Sequence, residues 1–354
     1  MSINHQETSQ AIQAHKESLT QIIASRLSEP STSNSNNTEY NKRELSLRDI
    51  RFHLANLSEA MAASSPILFT DYTGWLNILF ESLKFSPGMA EKTLEAMQAV
   101  LFEHFQDAPE SQALVEEYIS AGIACLHQAP KPVPIFINQN LPLGGLARDY
   151  LEAVLHGDRQ TASQLILDAV AGGENVKNIY LHILQPVQYE IGHLWHTQQI
   201  SVAQEHFCTF VTESIMSQIF KHNHTQHLNH RLVAICVGSN THEIGLRMVT
   251  DFFELSGWDT YYLGSKSSID SVLQTLMERR ADILAISAAL TVHVSEVAEL
   301  IARVRASEAG KHVKILVGGY PFIISENLWQ FVHADGFGRD AQHALDVATT
   351  LMET

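Results

Sequence analysis

The sequence predicts an all-helical front half followed by a doubly wound parallel α/β domain. Two observations carry that prediction. Apolar residues recur at helical spacing between Ser46 and His222. Beyond His230 the periodicity changes, and short apolar runs each precede a helical pattern. The length of 354 residues suits two or three domains, because single cores stop growing near ~250–300 residues.

Taken in order, residues 1–28 carry Ile12, Leu19, Ile22, Ile23 and Leu27, a pattern that fits a modest amphipathic helix or a frayed tail equally well. Residues 29–42 (EPSTSNSNNTEYNK) lack apolar periodicity and read as a linker, so 1–45 is assigned as tail and flexible linker. Residues 46–128 form an all-helical domain. Its stripes are Ile50, Phe52, Leu54 and Leu57; Trp75, Leu76, Leu79 and Leu83; Leu94, Met97, Leu101 and Phe105; and Leu114, Tyr118, Ile119 and Ile123. Ser65-Pro66, Ser86-Pro87-Gly88 and Asp107-Ala108-Pro109 punctuate them. Aromatic residues gather near Phe69, Tyr72 and Trp75.

Pro130, Pro132 and Pro134 alternate through a second linker, Ala129–Asn140. Four helical stretches follow, near 143–156, 159–171, 176–196 and 200–222, with short breaks at Gly157-Asp158 and Gly172-Gly173. Connections this short predict an up-down four-helix bundle over 140–225, its third helix kinked at Pro186. The runs RLVAICVG (231–238), DTYYLG (259–264), ADILAIS (281–287), KILVGG (314–319) and ADGFG (334–338) are the strands of the last domain, 230–354. In such a sheet a ligand sits beyond the carboxyl ends of the strands.

Composition narrows the function. The net charge of −16, from 23 basic and 39 acidic residues, argues against a broad nucleic-acid surface, which needs clustered Lys and Arg. No apolar run approaches the ~20 residues of a membrane helix, and the polar start MSINHQETSQ is unlike a signal peptide. Cys125, Cys208 and Cys236 are scattered, which fits a reducing cytoplasm and excludes a CxxC metal site.

The chemistry concentrates after the first strand, in Gly238-Ser239-Asn240-Thr241-His242-Glu243-Ile244-Gly245. There His242 can offer a neutral ring nitrogen to a metal, and Asn240 can bond the other nitrogen. Gly245 leaves backbone bare at the start of a helix. The third strand ends in Ser287-Ala288-Ala289 and the fourth in Gly318-Gly319. Singly these are an ordinary loop histidine, a strand-end serine and a turn; together they form one lined groove.

In this combination the chain resembles the cobalamin-binding domains of methionine synthase, corrinoid proteins and light-sensing repressors, whose motif is Asp-x-His-x-x-Gly, Ser-x-Leu and Gly-Gly at near-constant separations. The resemblance covers 230–354 and implies a flavodoxin-like sheet with His242 as lower cobalt ligand, replacing the vitamin's own benzimidazole. The displaced nucleotide tail would then lie along Gly245, Ser287, Gly318 and Gly319, with Asn240, Glu243, Ile244 and Ala289 completing the cofactor-binding set. Two positions depart from the pattern: Asn240 replaces the usual Asp, and Ala289 the usual Leu.

A second signature precedes it. Trp195 and Glu205-His206 stand in the Trp-x9-Glu-His spacing that resembles the cap of cobalamin-dependent photoreceptors. The resemblance implies that Trp195 packs on the upper face of the corrin, with Glu205 and His206 near an adenosyl group. It also makes His196 a second metal candidate, ligating cobalt from above after light breaks the Co–C bond. Without the sheet motif, Trp195 would read as bundle core and Glu205 and His206 as a solvated face.

The light-sensing repressors carry a helix-turn-helix of the mercury-resistance regulator type. Residues 46–128 show no basic recognition helix, so DNA binding is not expected. The domain order of this chain is similar to that of photocobilins, which add a globin-like domain holding a bilin. That resemblance implies biliverdin near His53, Tyr72 and Trp75. A helical dimerisation or signalling domain is the alternative, and haem on His53, His104 or His127 a further one. The function expected is a non-enzymatic light sensor, binding adenosylcobalamin and changing its self-association or its contacts with an unknown protein partner. The alternative is a corrinoid methyl carrier serving separate methyltransferases. A mutase fits least, since no barrel-sized substrate domain is present.

Overall fold

The computed structural model describes residues 3–28, 45–128, 134–220, 228–238 and 242–353. The linker 29–42, Pro130, Pro132 and Asn240 lie outside them. The chain divides into two compact units. The first gathers residues 1–131 with two later segments, 290–295 and 323–332; the second holds the rest.

The first unit is built on α1 (Ile3–Ala14), α2 (Lys16–Ser28), α3 (Leu47–Ala62), α4 (Pro66–Ser82), α5 (Met89–His104) and α6 (Pro109–Leu126). Ser46 starts α3 with a capping box: its hydroxyl accepts from the Asp49 N–H, and the Asp49 carboxylate accepts from the Ser46 N–H. Proline opens both α4 and α6, at a position where no helical N–H bond is lost. The core holds Ile50, Leu54, Leu57, Leu94, Met97 and Tyr118. Residues 3–28, assigned above to the tail and linker, are corrected here: they form two packed helices. Ile12, Leu19 and Ile23 are buried, and buried polar residues do the rest, Ser9 bonding Ser58 (2.9 Å) and Thr8 bonding Ser111 (2.8 Å). The later segments are tied in as well. Buried Glu59 accepts from the Ser295 N–H (3.0 Å) and hydroxyl (2.6 Å), and Ser65 bonds Ser325 (2.9 Å).

In the second unit α7 (Gly144–Leu155), α8 (Arg159–Ala171), a third helix in three parts and α11 (Val202–Ile219) form the bundle. The third helix runs as α9 (Val176–Ile179), a π turn (Tyr180–Leu184) and α10 (Gln185–His196). The π turn ends one residue before Gln185-Pro186, so the irregularity expected at Pro186 takes the form of a widened turn just before it, where the proline has no N–H to give. Ser201 caps α11 with a second capping box closed by Gln204.

The sheet follows: β1 (Arg231–Cys236), α12 (Ile244–Glu254), β2 (Asp259–Tyr262), α13 (Ile269–Arg279), β3 (Ile283–Ser287), α14 (Val294–Ala306), β4 (Lys314–Gly318), the short α15 (Tyr320–Ile324) and α16 (Leu328–Phe331), β5 (Gly336–Gly338) and α17 (Ala341–Glu353). All strand pairs are parallel in the order β2-β1-β3-β4-β5. The order reverses between β1 and β3, which places a ligand crevice at their carboxyl ends.

Helix α12 is a shared wall. Met248 and Phe252 join the bundle core with Tyr150, Tyr180, Ile183 and Val211, whereas Leu246 and Phe253 pack on the sheet with Leu232, Trp258 and Ala285. Polar contacts reinforce the junction: the Tyr180 hydroxyl donates to Asp251 (2.7 Å), and the Lys177 ammonium lies over the Phe252 ring (5.3 Å) while donating to Ser256 (2.7 Å).

Burial raises the Asp251 carboxyl to about 6 against the opposing pull of the Tyr180 bond and Arg247. A carboxyl raised above its ordinary 3.8 contributes stability in its protonated form, and that contribution is lost as pH rises through about 6. Between pH 5 and 7.5 the native chain should therefore lose about 1 kcal/mol relative to Asp251→Asn, measured as the difference between their urea-unfolding free energies at the two pH values. Equal pH dependence of the two proteins would refute it.

Candidate functional site

Parallel register puts Cys236, Ser287, Gly318 and Gly338 in one row across β1, β3, β4 and β5, at the carboxyl edge. The backbone continues pairing past the strand ends: Val237 donates to the Ser287 carbonyl and Ala288 to the Gly318 carbonyl, both at 3.0 Å. Gly319 follows with φ +103°, and a Cβ there would stand 2.0 Å from the Ala288 carbonyl oxygen. Only glycine lets these two backbones meet. A Cβ on Gly338 would strike Ala344 at 2.6 Å. The edge is thus bare backbone with one hydroxyl, at Ser287.

His242 follows β1 and is exposed, one residue ahead of Glu243 and two ahead of α12. Its carbonyl accepts a weak bond from the buried Cys236 thiol (3.9 Å), a thiol that burial pushes up to about 12 and so keeps protonated. Glu243 turns to β2: its carboxylate accepts from the Tyr262 hydroxyl and the Ser265 N–H, each at 3.1 Å. Ile244 packs against the bundle core. At Gly245 a Cβ would meet nothing within 4 Å, so the start of α12 faces open space. Ala289 is half-buried just beyond β3.

Sequence reasoning missed Cys236 and Gly338, which only the register reveals, and the partners of Glu243. It also missed a cleft of about 320 Å³ beside the end of β1, lined by Cys236, Gly238, Lys266, Ser267, Ser268 and Glu299. None of Gly245, Ser287, Gly318 and Gly319 lines this cleft; it opens toward α13 and α14.

In the bundle, Trp195 and His196 end α10 and Glu205 and His206 lie in the first turns of α11. His196 is buried and Trp195 half-buried. His206 is exposed and bonds the Glu205 carboxylate at 2.5 Å. Beneath Glu205 the Thr209 hydroxyl lies 3.1 Å from both the Glu205 carboxylate and the Gln188 amide oxygen and donates to one of them at a time; Gln188 donates in turn to Thr212 (2.7 Å), which bonds the buried Tyr150 (2.8 Å). The inner members were invisible in the sequence because each is an ordinary helical polar residue.

The other candidates sit in the first unit. His53 is buried with Nδ1 2.5 Å from the Tyr72 hydroxyl and Nε2 without a hydrogen-bond partner. Burial lowers its pKa to about 4, with Asp49 opposing, so the ring is neutral. Trp75 stacks on Tyr72, with ring centroids 6.2 Å apart.

The residues suit a corrin. Its four ring nitrogens already hold cobalt, so the protein has one axial donor to supply, and His242 is an exposed imidazole beside a bare glycine edge. Family comparison decides the matter: the B12 binding domain matches residues 230–346, and a second B12 binding domain model matches 146–219. The two matched segments make up a cobalamin-binding module. A corrinoid protein of Desulfitobacterium hafniense (strain Y51) is 27% identical over 123 residues, which is 34% of this chain and 56% of that protein. The match thus spans little more than half the length of that relative. The monomethylamine corrinoid protein of Methanosarcina barkeri superposes with a TM-score of 0.52 at 20% identity, over 60% of this chain and 100% of its own; at that identity the likeness is one of fold. A cobalamin-binding protein from D. hafniense DCB-2 covers 58% of this chain and 98% of its own at 17% identity, but its TM-score of 0.33 carries no argument. Among the described residues no helix is long and apolar enough to cross a membrane.

The module's glycines separate fold from binding. Gly319→Ala should cost about 2–4 kcal/mol, since it adds both strain and a clash. Gly245→Leu should leave stability within about 0.5 kcal/mol and abolish cobalamin retention in equilibrium dialysis. Full retention by the Gly245 variant would remove that edge from the site.

Proposed function

We propose that this chain is a corrinoid carrier, holding cobalamin through His242 for use by a separate methyltransferase protein. The observation that supports it most is that the B12-binding matches run through both bundle and sheet, while a relative matched on sequence is itself named a corrinoid protein. In this reading His242 would hold the cobalt through a ring nitrogen, and the row from Cys236 to Gly338 would leave backbone free to receive the nucleotide tail. Ser287 would offer that tail a hydroxyl. The bundle with Trp195 would cover the bound cofactor. Bound cobalamin supplies a cobalt–carbon bond that can be broken and remade. The carrier itself performs no turnover; the partner brings substrate and acid–base groups.

A second reading, a light sensor holding adenosylcobalamin, is favoured by one cluster. Trp195, buried His196 and the Glu205–His206 pair stand at neighbouring ends of α10 and α11, and the Glu205 carboxylate begins the polar contacts that end on Tyr150. Such contacts give a disturbance at the upper face a route into the bundle interior. In this reading the buried aromatic core around His53, Tyr72 and Trp75 would take biliverdin, and light would change self-association.

His242→Ala should weaken cobalamin binding by about tenfold or more and turn the absorption spectrum of the bound vitamin to that of a form lacking protein nitrogen. An unaltered spectrum would overturn the ligand assignment. Protein loaded with adenosylcobalamin in the dark, then illuminated with green light, separates the two uses. The carrier reading expects the same size-exclusion volume before and after, and methyl transfer from the methylcobalamin-loaded chain once a methyltransferase is added. A light-dependent shift in volume would favour the sensor.

A further inference from the structure

We propose that the cleft beside the end of β1, walled by α13 and α14, binds a small aliphatic zwitterion, an α-amino acid, at a site separate from the cobalamin edge. Its volume of about 320 Å³ lies at the small end of the ~300–1,000 Å³ usual for small-molecule sites, which suits a ligand of amino-acid size. The floor is apolar: Ile235, Val272 and Leu300 line it and are buried. The rim is different. Lys266, Ser268, Glu296 and Glu299 line it, so charges of both signs stand around one apolar hollow.

The two signs come from different elements. Lys266 precedes α13 and holds φ +68°, a left-handed conformation that costs energy in any residue with a side chain. Ser268 then starts α13, its hydroxyl accepting from the Ser271 N–H (3.2 Å), and the positive end of that helix falls on the same side as Lys266. Helix α14 brings the negative charge. Glu296 and Glu299 are three residues apart and share a face of the helix, where like charges repel. Arg303, further along that face, could relieve Glu299, but it is engaged by Asp270 of α13 (3.3 Å). Among the described residues Lys266, Glu296 and Glu299 make no ion pair, with one another or with any other residue. Exposed charges of one sign would suit any solvated surface. Opposite charges that line one cleft without neutralising each other suit a ligand that carries both. Its carboxylate would face Lys266 and the start of α13, its ammonium Glu296 and Glu299, and its aliphatic side chain the floor.

The test titrates L-leucine into the full chain by isothermal calorimetry at low ionic strength, with and without bound cobalamin. Two analogues run beside it: 4-methylpentanoate, which lacks the ammonium, and 3-methylbutylamine, which lacks the carboxylate. The expected result is saturable leucine binding, unaffected by cobalamin, with each analogue about tenfold weaker or worse. Lys266→Gln and Glu299→Gln should each weaken leucine about tenfold and keep native circular dichroism. Absence of saturable leucine binding, or an analogue held as tightly as leucine, would overturn the proposal. Unchanged affinity in either variant would overturn it too, by taking that charge out of the site. Loss of leucine binding on loading with cobalamin would make the cleft part of the cobalamin site and overturn its independence. If a variant fails to fold, the two analogues on the native chain decide the question.

Discussion

The meeting of Gly319 with the Ala288 carbonyl is the constraint on which the site depends. Parallel pairing of β3 and β4 aligns Ser287 with Gly318, and the chain can carry that pairing one residue further only if the next position has no side chain. Any other residue would push the end of β4 away from β3 and open the row at its centre. With glycine there, four strands finish level, and their carboxyl ends present peptide groups, one serine hydroxyl and the buried Cys236 thiol. A long flexible ligand tail can lie against such an edge because nothing projects to block it.

From that edge the architecture is carried by α12. Its sheet-facing residues Leu246 and Phe253 and its bundle-facing residues Met248 and Phe252 belong to two apolar clusters, so the helix cannot shift without disturbing both. The histidine loop is attached to the start of this helix, and the bundle that carries Trp195 is docked along it by Tyr180 and Lys177. The histidine loop and the bundle therefore share one mechanical reference. The π turn falls at that junction, where an extra residue per turn brings Tyr180 to Asp251 without breaking the helix.

Much of this was legible in the sequence, for physical reasons that also mark the limits. Strands buried on both faces read as continuous apolar runs, and bundle helices as spaced ones with glycine breaks, so both were visible as patterns. The loop histidine and the glycine pairs were visible because their residue types are needed at strand ends. Helices α1 and α2 were legible only as one of two alternatives, because much of their attachment is polar: Ser9 to Ser58 and Thr8 to Ser111 contribute no apolar periodicity. The partners of Glu243 were equally hidden, since Tyr262 and Ser265 become its neighbours only when β2 pairs with β1. The cleft facing α13 and α14 is likewise a product of packing.

The balance between carrying and sensing turns on what the upper face must do. A carrier has to expose that face to a partner, which asks for a cap that can move as a unit; a sensor has to register an event there, which asks for a cap that is internally coupled. The bundle has elements of both. Its junction with α12 is a compact set of contacts around Tyr180, Lys177 and Asp251, where a buried carboxyl takes on charge as pH rises through about 6. Its interior carries polar contacts from Glu205 to Tyr150. At Thr209 one hydroxyl proton stands between two acceptors, Glu205 and Gln188, so displacing Glu205 would commit that proton to Gln188. Carrying a methyl group requires no such arrangement. The B12 binding domain matches point to cobalamin as the cofactor, and the polar contacts beneath Glu205 are the feature of this bundle that carrying alone does not explain.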